Sequence, residues 1–167
     1  MIAAAYTTQQ DAETIRARLQ QTQGIDTYIH RLLTEEVELN VTATVGQIQA
    51  LQNGFDALYA ALIETGRLST ELDKQAIDGA AVVLGAQEAR MRVQEASRAL
   101  EAVLGGSNSE VVVGLRSLLT AADDGLKAIC DHNAQETVGM TAKIKYHQID
   151  LLWSFVRYVK QITAQKI

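Results

Sequence analysis

Between residues 37 and 62 apolar side chains recur in alternating steps of four and three: Val37, Val41, Thr44, Ile48, Leu51, Phe55, Leu58 and Leu62. This is the a/d seam of an amphipathic helix, with Thr44 its one polar position. Residues 37–45 are also β-branched and alternate as a strand would. The seam runs through them without a change of phase, so they read as helix. Upstream, Thr8 followed by Asp11 has the form of a capped helix start, and Ile15 and Leu19 supply the first apolar steps. Gly24 and Asn40 are the two positions where this stretch can turn. If neither does, residues 8–65 form one helix about 85 Å long at 1.5 Å per residue.

The sequence places the end of that helix at Thr65-Gly66-Arg67, with Gly66 in the left-handed C′ position and Ser69 as the next N-cap. A third segment then runs to Leu104, with a stripe of Leu72, Ala76, Ile77, Ala80, Val83, Leu84, Met91, Val93, Leu100, Val103 and Leu104. Gly105-Gly106-Ser107-Asn108 is the clearest break, and Ser107 with Glu110 has the form of a capping box. The next helix carries Val111, Leu115, Leu118, Leu119, Ala122, Leu126, Ile129 and Cys130, and its phase passes Asp124-Gly125 undisturbed. His132-Asn133 ends it, and Asn133 with Glu136 starts a final helix. That helix has one stripe of Met140, Ile144, Leu151, Phe155, Tyr158 and Ile162. A second comprises Val138, Ile149, Leu152, Val156 and Val159, with Trp153 between them. Residues 149–159 are therefore apolar nearly all round, the mark of a helix that is central or meets a partner.

Composition strengthens this picture. The 167 residues contain no proline, where average usage would put roughly 8. Proline breaks helix interiors, because it lacks an N–H and its ring clashes with the preceding turn. The expected fold is all-α: one domain over residues 1–167, an elongated, mainly antiparallel bundle with coiled-coil-like packing. It has four long helices, or five if Gly24 or Asn40 makes a turn. The helices measure about 57, 36, 22 and 32 residues between the breaks. Rods so unequal cannot overlap fully, and part of the seam stays exposed unless a second chain covers it.

Net charge is −5, against general nucleic-acid binding. Residues 1–66 balance at −5 and residues 133–167 at +3. The single cysteine, Cys130, excludes an internal disulfide and reads as a buried thiol. No apolar run is long enough to cross a bilayer, and no Sec signal is legible. The expectation is a cytoplasmic protein, or one exported by a signal-independent route.

Candidate chemistry is sparse. Asp26 with His30 and His147 with Asp150 each share a helix face, but Glu-x-x-His, the unit of carboxylate-bridged di-metal bundles, does not occur. His30 and His147 fall near the seams, where a hydrogen-bonded core histidine is the ordinary reading. There is no G-x-S-x-G, and Gly105-Gly106-Ser107 lacks the lysine of a P-loop. No enzyme, cofactor or metal is expected.

The leading expectation is a non-enzymatic structural or interaction module that self-associates or binds a helical partner. Secretion, appendage and virion assemblies use proteins of this class. The candidate interface is Val37, Val41, Ile48, Leu51, Phe55, Leu58 and Leu62, with Trp153, Phe155 and Tyr158 of the final helix. One alternative is a lipid-active or exported protein using its basic, aromatic C-terminal helix. Another is a small-ligand sensing four-helix bundle.

Overall fold

A computed structural model describes residues 8–31 and 42–163. Among them are five helices and no strand: α1 (Gln9–Gln23), α2 (Val45–Asp73), α3 (Gly79–Leu104), α4 (Glu110–Cys130) and α5 (Thr137–Thr163). The expected all-α bundle is the observed fold, with Gly24 making the turn that raises four helices to five.

Each start and stop has a local cause. Thr8 caps α1, its hydroxyl oxygen accepting from the Asp11 amide at 3.1 Å. Gly24 closes α1 at φ 65°, a left-handed conformation that glycine adopts without a Cβ clash. Thr44, the polar exception in the seam, is the N-cap of α2. Its hydroxyl accepts from the Gln47 amide while Gln47 Oε1 accepts from the Thr44 amide, a full capping box. Asn40, Val37 and Val41 lie outside the described residues.

Two expected boundaries are corrected. Helix α2 does not stop at Thr65-Gly66-Arg67. It continues to Asp73, with Gly66 and Ser69 buried in its inner face, so Ser69 is not an N-cap. Glycine costs a helix about 1 kcal/mol relative to alanine, too little to break a segment whose apolar face is already packed. The actual stop is a Schellman turn. The Ala76 amide donates to Glu71 O at 2.9 Å and the Gln75 amide to Leu72 O at 3.0 Å, with Gln75 itself at φ 57°. Asp78 then caps α3, accepting from the Ala81 amide at 2.9 Å. The second correction is at α4. Ser109, not Ser107, is its N-cap and makes no side-chain capping bond, and the Ser107 hydroxyl accepts from the Ser109 amide instead.

Helices α2 to α5 form the bundle, each antiparallel to the next, with α5 returning onto α2. Gly85 of α3 lies against Leu68 of α2. Arg90 and Gln94 of α3 both donate to Asp123 of α4, at 2.9 Å. Tyr158 of α5 donates to Val111 O of α4 at 2.7 Å, and Lys145 of α5 reaches Asp73 of α2 at 2.7 Å. Arg116 of α4 donates to the carbonyls of Leu104 and Gly105, which the end of α3 leaves without helical partners.

The core is aliphatic: Leu58, Leu68, Leu100, Leu115, Leu119, Leu126, Ile129, Met140, Ile144 and Leu151 are all at most 1% exposed. On α3 the buried face differs from the expected stripe. Val82, Ala86, Ala89, Val93, Ala96 and Leu100 line it at steps of four and three, whereas Leu84 and Met91 are 61% and 65% exposed and Ala80 also faces outward. Small side chains let α3 sit close to its neighbours. Size is therefore a poor guide to which face of this helix is inward.

Candidate interaction surface

Much of the sequence-derived interface is used within the chain. Leu51, Leu58 and Leu62 are buried in the core. Phe55 is half-buried, its ring stacked on Tyr158 with centroids 6.1 Å apart and planes at 24°. Tyr158 is 6% exposed, and burial raises its phenol pKa well above the usual value. Its ring lies across Gly114, where a Cβ would come within 2.3 Å of Cε2. Phe155 is half-buried against the core. Ile48 and Trp153 remain at the surface, 36% and 48% exposed.

Helix α5 thus has two faces. Met140, Ile144, Leu151, Tyr158 and Ile162 point inward. Outward lie Val138 (85% exposed), Tyr146 (75%) and Trp153. Ala142, exposed, and Ile149, half-buried, complete that stripe at steps of four, four, three and four. Lys143, Arg157 and Lys160 are exposed beside it, and none is within ion-pair distance of a carboxylate among the described residues. Lys145, by contrast, is held by Asp73.

Helix α1 is the second surface. It has no buried residue, and Ala12, Ile15 and Leu19 on one face are only half-covered. Arg18 reaches Asp73 at 3.8 Å, tying α1 to the bundle. Beyond Gly24, Ile25, Tyr28 and Ile29 are 47%, 89% and 38% exposed. Asp26 and His30 in this stretch are exposed as well.

The bundle interior holds a polar element that sequence reasoning placed but did not resolve. His147 is 6% exposed, and its Nε2 has no hydrogen-bond partner among the described residues. The same holds for Ser69 Oγ and Gln148 Oε1. The His147 ring lies against the α4 backbone at Gly125, where a Cβ would fall 1.8 Å from Nδ1. Burial pushes this imidazole down to about 4, and Asp150, one turn along, opposes the shift. Cys130 is half-buried, and burial raises its thiol pKa, which leaves less of the nucleophilic thiolate.

Two open grooves border α5. One, of about 420 Å³, lies between α4 and α5 beside Gly114 and Tyr158. The other, of about 580 Å³, lies between the α2–α3 turn and the start of α5. No three His, Cys, Asp or Glu side chains among the described residues converge to hold a metal. No helix among them is long and apolar enough to cross a membrane. No protein-family model, curated protein or solved structure matches the chain.

Proposed function

We propose that this chain is a non-enzymatic protein-interaction module that self-associates through its N-terminal arm, residues 8–31. The observation that carries the reading is the contrast between α1 and the bundle. Helices α2 to α5 bury a continuous core without help from α1, which leaves its own apolar face half-covered and places Ile25, Tyr28 and Ile29 in solvent. A 15-residue helix is marginal in water on its own. It gains stability when Ile15 and Leu19 pack against another helix. Removing such side chains from water contributes about 25 cal/mol per Å². A second copy of the chain offers an equivalent arm, and a two-fold pairing covers both at once.

Light scattering on the full chain tests this. The mass should rise above the 18.2 kDa of one chain as concentration increases. The double variant Ile15→Asp/Leu19→Asp should stay at one chain's mass with its unfolding midpoint nearly unchanged, because neither residue is part of the core. A wild-type mass of one chain at every concentration contradicts the proposal.

A further inference from the structure

From the outer face of α5 we infer a second binding activity: it docks on the surface of an anionic lipid bilayer, with Trp153 and Tyr146 at headgroup level. This rests on residues other than those of the arm, so the two proposals fail separately. The stripe Val138, Ala142, Tyr146, Ile149 and Trp153 runs along one side of a 27-residue helix. Tryptophan and tyrosine have an apolar body and a polar tip and favour the membrane–water boundary. Lys143, Arg157 and Lys160 flank them, with long stems that reach outward to phosphate or carboxylate headgroups.

The charge pattern selects the occupant. Elsewhere in the bundle Arg67, Arg90, Arg116 and Lys127 are within ion-pair distance of carboxylates, while Lys74, Arg92 and Arg98 are exposed and have no such pair among the described residues. What sets α5 apart is that Lys143, Arg157 and Lys160 gather along one helix beside Tyr146 and Trp153, with Asp150 on the same helix and Asp131 of α4 near Lys143 as the acids there. Pairing this face with its copy sets cations against cations, which disfavours a symmetric dimer through α5. The net charge of −5 does not cancel the local attraction, because solvent screens exposed charges beyond about 8 Å at physiological salt. The face is also one convex helix, with the two grooves only at its margins, beside Arg157 and Val138. A deformable planar surface covers such a ridge more completely than a rigid one.

Trp153 is the only tryptophan and sits in the middle of the face, so it reports on its own docking. The full chain is mixed with phosphatidylcholine vesicles containing 30% phosphatidylserine as the probe. Co-sedimentation and a blue shift of Trp153 emission are expected, both weakening as salt rises. Arg157→Glu/Lys160→Glu should weaken partitioning at least about tenfold, at roughly 1 kcal/mol per surface-bound cation. Trp153→Ala should weaken it too, by sedimentation. Arg92→Glu/Arg98→Glu on exposed positions of α3 should leave it unchanged. Any of three results overturns the proposal: no binding to the anionic vesicles, equal binding to pure phosphatidylcholine, or loss of binding in the α3 control as large as in the α5 variant. Retention on an immobilised Glu-rich amphipathic peptide with no vesicle binding also overturns it, and assigns the face to an acidic protein helix.

Discussion

Gly125→Ala should destabilise the bundle by about 2 kcal/mol, near the middle of the range for overpacking a core. The added Cβ would fall 1.8, 2.2 and 2.5 Å from Nδ1, Cε1 and Cγ of His147. The clash is therefore with the body of a ring, not the free end of a flexible chain. That ring cannot swing aside cheaply, because His147 is 6% exposed at the α4–α5 seam. Alanine's better helix propensity returns up to about 1 kcal/mol, already included in the net figure. For a chain of this size the midpoint of thermal unfolding should fall by roughly 4–8 °C. A double-mutant cycle makes the cause specific. If the ring is what the new methyl meets, Gly125→Ala/His147→Ala should be less destabilised than the sum of its single variants. Additive losses would contradict the packing described for α4 on α5.

Stability should also fall steeply between about pH 6.5 and pH 4, and His147 should be a large part of the reason. Its imidazole titrates near 4 in the folded bundle, against an ordinary value of 6.5, because burial penalises the cation. The unfolded chain therefore binds more protons throughout that window, and acid favours unfolding. The contribution is fully present above pH 6.5 and is lost as pH falls to 4. It amounts to about 3 kcal/mol at 1.36 kcal/mol per unit. Urea unfolding at pH 7, 5.5 and 4.5 measures the slope. His147→Gln removes the titrating group and should flatten the curve over the same interval. An unchanged slope in that variant would assign the acid sensitivity to carboxylates instead. Asp131, hydrogen-bonded to Lys127, has its pKa lowered, so its effect lies at still lower pH.

Both predictions depend on α4 and α5, whose phase the sequence expressed clearly. Large apolar residues at regular steps and the Gly105-Gly106 break made those helices legible, as did the run through Asp124-Gly125. Other parts were hidden for identifiable reasons. The α2–α3 turn uses Gln75 in a left-handed conformation, so the residue that normally advertises a Schellman turn is absent. Gly66 offered that advertisement instead, at a site where tertiary packing outweighs its modest cost to the helix. On α3 the buried residues are mostly alanine and valine, and the bulkier Leu84 and Met91 on the other side drew attention to the wrong face.

The candidate surface was legible in the same uneven way. Residues 149–159 read as apolar all round because an inner stripe and an outer stripe overlap in sequence. Only the fold separates Tyr158, which bonds to Val111, from Trp153, which remains half-exposed. The seam residues Leu51, Leu58 and Leu62 look the same whether they meet a partner or their own bundle, and here they lie in the bundle. The exposure of the arm could not be read from periodicity at all. Its Ile15–Leu19 step is that of any amphipathic helix, and what distinguishes it is that the other four helices complete a core without it.

Amide hydrogen exchange of residues 9–23, followed as a function of protein concentration, tests the self-association reading most directly. In a lone copy α1 has no fully buried residue and is tied to the bundle through Arg18, so its amides should exchange with little protection. As copies associate, protection of α1 should rise with concentration while that of the α2–α5 core stays constant. Protection of α1 that is independent of concentration would contradict the account.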